Sequence, residues 1–260
     1  MNWEAAVLDL DGVIYTGESP VQGSPEAIER MRKAGKAVRF LTNNATRTRE
    51  EYSEKLSRMG IPTQPSEVLT SGVATAIHIS KTMGKARVYA IGSPSLTTEL
   101  AREGLELVEW QRAEVVVTSL DQQFSYQKLY DAMRGVRNGC PLVSTNKDPT
   151  VPDENGPVPG AGAIASAVEV ASGTSSILIG KPSTIILSVA ERAWGLKKES
   201  TLIVGDRLDI DIAAGNSFGW RPILVLSGST SEVELNGELP PLHRPSAAYR
   251  NLYQFASAEL

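Results

Sequence analysis

Apolar and polar positions along this chain fall into two recurring patterns. Short apolar runs read as buried strands: "AAVLDL", "AVRFLT", "ARVYAIG", "AEVVVTSL", "PLVSTN", "STLIVG" and "RPILVLSG". Between them lie stretches with helical spacing, such as "TREEYSEKLSRMG", "SGVATAIHISKTMG", "LTTELAREG", "YQKLYDAMRGVRNG", "AIASAVEVASG" and "IILSVAERAWG". "SPEAIERMRKAG" predicts a helix with Ser24 as its cap, Pro25 at its first position and Gly35 as its stop. Strand, helix, strand, helix in this rhythm predicts an α/β protein with a parallel sheet and helices on its faces. "NKDPTVPDENGPVPGAGA" breaks the pattern and predicts a long loop, of the kind that is functional or disordered. "LPPLHRPSAAYRNLYQF" is only weakly patterned.

Composition narrows the classes. The 260 residues suffice for one large domain or two modest ones, with a sizeable core. A net charge of −4 argues against nucleic acid or a membrane surface as partner, so any anion site must be local. No apolar run approaches the ~20 residues of a membrane span. Cys140 is the only cysteine, which with no visible leader predicts a cytoplasmic protein.

Candidate chemistry sits where the apolar runs stop. Asp9, Thr42 and Asp206 each follow a predicted strand, and Lys181 follows "SILIG". Ligands of open parallel sheets bind beyond the carboxyl ends of the strands, so these side chains converge if the strands are neighbours. Asp9, Asp11, Asp206 and Asp211 brought together would repel unless a cation sat among them. Hard Mg²⁺ suits carboxylate oxygens and works alongside phosphate. A lysine, a hydroxyl and the neutral donors of "TNN" (Thr42, Asn43, Asn44) would complete a clamp on a phosphoryl group. One aspartate could then take that group covalently while the second, Asp11, manages protons. Each piece has a bland reading alone: a solvated turn for "DLDG", a loop for "GKPS", an acidic first helical turn for "GDRLDID". Their joint order after strands favours a site.

These pieces resemble the haloacid dehalogenase superfamily of phosphotransferases, through "DLDGVIYTG", "LTNN", "GKPS" and "GDRLDID". "FLTNNATRTREEY", "LDQQFSYQKL", "STNKD" and "PGAGAIASAVE" extend the resemblance along the chain, to the NagD-type branch (subfamily IIA) with its nitrophenyl and phosphoglycolate phosphatases. The resemblance implies a Rossmann-like parallel-sheet core, residues 1–84 and 174–260, with an inserted smaller α/β cap at 85–173 that selects substrate. It implies Asp9 as nucleophile and Mg²⁺ ligand, and Asp11 as general acid/base with its backbone carbonyl on the metal. Thr42, Asn43 and Lys181 would hold phosphate. Asp206 would ligate Mg²⁺, and Asp211 would ligate it or orient its waters, with Asp209 outside the set. The expected partner is a small phosphate monoester, and the expected assembly a homodimer through the cap.

Dehalogenases of the superfamily lack the second aspartate, so Asp11 argues for phosphate chemistry. The loop "TNKDPTVPDENGPVPGAG" lacks the aromatic and histidine of pyridoxal-phosphate-directed relatives. Lys147 in that loop could meet a substrate anion, but a solvated lysine is the favoured reading. His78 and His243 are too isolated for a zinc site. Transfer of the phosphoryl group to an alcohol acceptor, or binding without turnover, stand as alternatives to hydrolysis.

Overall fold

The computed structural model describes residues 3–151 and 156–260; the portion of the expected long loop at 152–155 lies outside the described residues. Two compact units emerge: residues 1–42, 50–69 and 190–260, and residues 43–49 and 70–189. The expected cap, 85–173, falls inside the second unit, which reaches further at both ends. The helix Ser71–Met83 belongs to it, packed on Pro94–Arg102, and so does the strand Ile177–Leu178.

The first unit is built on a six-stranded sheet in the order Ala247–Tyr249, Arg221–Val225, Thr201–Gly205, Ala5–Leu8, Ala37–Thr42, Val68–Thr70. Ala5–Leu8 and Thr201–Gly205 are buried along their whole length. Burial on both faces is what a parallel sheet demands, and it explains why these strands read as unbroken apolar runs. Ala5–Leu8 pairs in parallel with Thr201–Gly205 on one side and with Ala37–Thr42 on the other. The chain leaves this central strand toward Ala37–Thr42 and Val68–Thr70, then fills the other side with Thr201–Gly205, Arg221–Val225 and Ala247–Tyr249. The strand order therefore reverses between Ala5–Leu8 and Thr201–Gly205. That point is a crevice in doubly wound sheets.

Two local expectations change. Gly23, with φ of 80°, precedes the helix Ser24–Lys33, and Ser24 is its first residue rather than its cap. The Ser24 hydroxyl donates instead to the Ile14 carbonyl at 2.7 Å, which also accepts from the Val21 N–H at 2.9 Å, so it ties the helix start to the preceding loop rather than capping the helix. The weakly patterned tail forms the edge strand Ala247–Tyr249 and the helix Leu252–Glu259. That helix packs on Ser24–Lys33, with Phe255 5.8 Å from the Trp3 ring and 5.5 Å from that of Tyr249.

The second unit holds a five-stranded sheet in the order Ile177–Leu178, Leu142–Ser144, Val115–Thr118, Arg87–Ile91, Glu106–Leu107, with parallel pairings throughout. Tyr126–Arg137 and Ala161–Ser172 bury Ala132, Val136, Ile164 and Val168 against Ile91, Val116 and Leu142. Inside the expected long loop, Thr150–Val151 pairs antiparallel with Val158–Pro159. The strand before Lys181 is thus two residues long and an edge of this second sheet, not a neighbour of the Asp9 strand. Its pairing partner, Leu142–Ser144, decided its place; an apolar run alone does not name its neighbour.

Candidate active site

Register aligns the acidic residues. Leu8 lies level with Val204 on one side and Phe40 on the other. Asp9 is the next residue off the central strand, and its N–H still donates to the Val204 carbonyl at 2.9 Å. Asp206 follows the end of Thr201–Gly205, and Thr42 ends Ala37–Thr42. The three therefore leave the sheet at the same edge, Asp9 and Asp206 flanking the point of strand reversal. Thr42 and Asp206 are each 2% exposed.

Asp211 reaches the same place by a different route. Residues Leu208–Ile212 form one turn of π-helix, in which the Ile212 N–H donates to the Arg207 carbonyl five residues back at 3.2 Å. Such single wide turns recur at functional sites. Asp211 is completely buried, and its Oδ2 accepts from the Arg207 N–H at 3.2 Å. It lies so close to Gly205 that a Cβ there would overlap its carboxyl group. Asp209, on the same turn, faces outward and pairs with Arg207 at 3.2 Å.

One oxygen each from Asp9, Asp206 and Asp211 lie within 4.8 Å of one another. Opposite ligands of an octahedral Mg²⁺-sized ion are about 4.2 Å apart, so the cluster has the dimensions of a divalent cation site. Three carboxylates this close, two of them buried, repel strongly unless a positive charge lies among them. Hard oxygen donors suit Mg²⁺ or Ca²⁺ and not a softer thiophilic metal. Asp206 is further held by the Ser229 N–H, 2.6 Å from its Oδ2. Gly12 and Gly228 press against the same carboxylate: a Cβ on Gly12 would come within 2.5 Å of Oδ2, and one on Gly228 closer still. These glycines are where they are because no side chain fits. The "LSGST" stretch after Arg221–Val225 was not singled out from the sequence, although small polar residues after a strand carry that signal.

Asp11 is exposed and stands outside the three-carboxylate cluster. It sits on a tight turn in which Gly12, with φ of 79°, donates to the Tyr15 carbonyl at 2.8 Å. The Ser227 hydroxyl holds the Gly12 carbonyl at 2.7 Å.

Within the second unit, Asn43 and Lys181 are joined. The Asn43 Nδ2 donates to the Lys181 carbonyl at 2.9 Å, and its Oδ1 accepts from the Lys181 N–H at 2.8 Å. The second Nδ2 hydrogen goes to Asp148 Oδ2 at 3.1 Å. Both amide donors are thereby used, and the Asn43 side chain works as a bracket on the Lys181 backbone. Lys181 itself is 2% exposed. The Asn43 carbonyl accepts from Asn146 Nδ2 at 2.8 Å and from the Ser71 hydroxyl. Asn43→Asp would set a carboxylate against two acceptors. It is expected to cost about 2–4 kcal/mol, read by urea denaturation.

Lys147 pairs with Glu169 at 2.7 Å. Burial pushes the Glu169 carboxyl up, but Lys147 and the Ser176 hydroxyl and N–H outweigh it and hold Glu169 below the ordinary range. Lys147 is exposed, as the solvated reading expected, with its ammonium paired to Glu169. His78, half-buried on its helix, is held below the ordinary histidine range by burial, and neither it nor His243 joins the carboxylates. Among the described residues no helix is long and apolar enough to cross a membrane.

Comparison with known proteins identifies the family. Residues 6–106 match the haloacid dehalogenase-like hydrolase family, and residues 178–255 match a second HAD-hydrolase-like profile. The chain is 40% identical over 242 residues to an acid sugar phosphatase of Staphylococcus aureus, covering 93% of each. The p-nitrophenyl phosphatase of Archaeoglobus fulgidus superposes with a TM-score of 0.94 at 31% identity, over 99% of this chain and 100% of that one. A glycerol phosphate phosphatase of Mycobacterium tuberculosis, solved with calcium, superposes at 0.90 with 30% identity, over 97% of this chain and 74% of that one. The chain belongs to the haloacid dehalogenase-like hydrolases, among their NagD-type phosphatases.

Proposed function

We propose that this phosphatase is Mg²⁺-dependent and hydrolyses small sugar and polyol phosphate monoesters through an aspartyl-phosphate on Asp9. The carboxylate cluster of Asp9, Asp206 and Asp211 at the strand reversal carries the reading. The names of the sugar phosphatase and glycerol phosphate phosphatase relatives support the substrate class.

In this reading Asp206 and Asp211 would hold the cation, together with Asp9 and the Asp11 backbone carbonyl. When bound, Mg²⁺ supplies positive charge to the phosphoryl oxygens. A carboxylate oxygen of Asp9 attacks phosphorus, the ester P–O bond breaks, and the protonated Asp11 carboxyl gives its proton to the departing alkoxide. Water then attacks the phosphorus as the Asp11 carboxylate removes its proton, and the Asp9–phosphorus bond breaks to release inorganic phosphate. The Thr42 hydroxyl and Lys181 ammonium neutralise phosphoryl oxygens throughout. Asn43 serves this clamp by its hold on the Lys181 backbone. Residues 85–173 act as the cap that reads the leaving group.

Hydrolysis of p-nitrophenyl phosphate, glycerol phosphate and hexose phosphates, measured with Mg²⁺ and with EDTA, tests the proposal. Phosphate release from the sugar and polyol esters that EDTA stops and Mg²⁺ restores is the expected result. Unchanged release in EDTA would overturn the metal assignment. Release from p-nitrophenyl phosphate alone would overturn the substrate class.

A further inference from the structure

Lys55 is an unusual residue to bury. It lies on the helix Arg49–Arg58 and is 6% exposed, where a lysine is almost never found unless paired. Its neighbours on that helix, Tyr52 and Leu56, are ordinary core residues. Packing alone would favour a leucine or methionine at position 55, so its retained charge needs a target.

That target is the hairpin that follows Asp11. Tyr15–Thr16 pairs antiparallel with Ser19–Pro20, and Gly17 and Glu18 form the loop between them. The Lys55 ammonium donates to the Gly17 carbonyl at 2.8 Å and pairs with Glu18 at 3.1 Å. It also lies 3.9 Å from the centre of the Tyr15 ring, in cation–π range. An ammonium has three donors and no acceptor, and here its contacts fall on the tip and the base of one hairpin.

Tyr15 in turn grips both chain neighbours of Asp11. Its N–H donates to the Leu10 carbonyl at 3.3 Å, and its carbonyl accepts from the Gly12 N–H at 2.8 Å. Tyr15 is buried, so its ring has one place to be. Asp11 itself is exposed and lies on the turn that Tyr15 closes.

We propose that Lys55 is a positioning residue for Asp11, acting through Tyr15 and the Tyr15–Pro20 hairpin to hold the proton donor against the leaving oxygen. The proposal rests on Asp11 being the general acid. A misplaced acid slows loss of a basic leaving group far more than loss of a stable anion. Phenolate needs the proton and p-nitrophenolate scarcely does, while the two esters have nearly the same shape.

The experiment is kcat/KM for phenyl phosphate and for p-nitrophenyl phosphate, in wild type, Lys55→Met, Lys55→Arg and Asp11→Asn, with melting curves alongside. Lys55→Met is expected to lose about 10-fold more on phenyl than on p-nitrophenyl phosphate, a fraction of a full general-acid contribution of about 10²–10⁴. Lys55→Arg is expected to recover most of the ratio, because it keeps the charge and a donor toward Gly17. If Lys55→Met does not fold, Lys55→Gln is read the same way. Equal losses on both esters in the Lys55 variants, beside a skewed loss in Asp11→Asn, would overturn the positioning role. Equal losses in Asp11→Asn would instead overturn the general-acid reading itself.

Discussion

Asp9→Asn protein is expected to fold as the wild type does and to hydrolyse phosphate esters at least about 10⁴-fold more slowly. The amide keeps the size and one hydrogen-bonding oxygen of the carboxylate, but it is no nucleophile toward phosphorus and a poorer cation ligand. Folding should be unharmed because Asp9 is only half-buried, and its oxygen lies within 4.8 Å of oxygens of Asp206 and Asp211. Removing one of three mutually repelling charges relieves strain in the metal-free protein. Its melting temperature in EDTA should therefore equal or exceed that of wild type, while the rise on adding Mg²⁺ shrinks as a ligand is lost. Steady-state kinetics and melting curves with and without Mg²⁺ read both effects. Activity within tenfold of wild type would refute Asp9 as the attacking group.

Gly205→Ala is expected to be nearly as damaging, for a reason that no chemistry at residue 205 foretells. A methyl group there would occupy the space of the Asp211 carboxyl. Asp211 cannot retreat easily, because it is fully buried and tied to the Arg207 N–H within the wide turn Leu208–Ile212. Gly205 cannot move easily either, being paired with Leu224 in the sheet. Overpacking of this kind costs about 1–3 kcal/mol, and here it would also push a carboxylate out of the cation cluster. Loss of stability in urea should therefore accompany a higher Mg²⁺ requirement for activity. A variant with unchanged stability and Mg²⁺ dependence would show that the turn yields to the methyl group.

Much of the site was legible because its signals are local. An apolar run that ends abruptly in aspartate marks both a strand and its carboxyl end, which is how Asp9 and Asp206 stand out. Gly12 after Asp11 announces a turn. Where a residue's partner is distant in the chain, local reading went astray. Ser24 looked like a cap because nothing nearby shows the Ile14 carbonyl that claims its hydroxyl. Likewise the "TNN" pattern does not show that Lys181, 138 residues on, takes up the Asn43 side-chain amide. The tail helix Leu252–Glu259 escaped notice because only Leu252, Phe255 and Ala256 are buried, too few to make a periodic signal.

By itself, then, the sequence determined the alternation of strands and helices, the strand-end aspartates and the kind of chemistry such residues serve. These follow from side-chain polarity and backbone propensity over a few neighbouring residues. Only the tertiary structure decided that the Ala5–Leu8 strand lies between Thr201–Gly205 and Ala37–Thr42, and that the strand before Lys181 joins a different sheet. It also decided that a wide helical turn folds Asp211 back over Gly205. Backbone hydrogen bonds are alike in every strand, so which strands pair depends on how the whole chain buries its apolar faces.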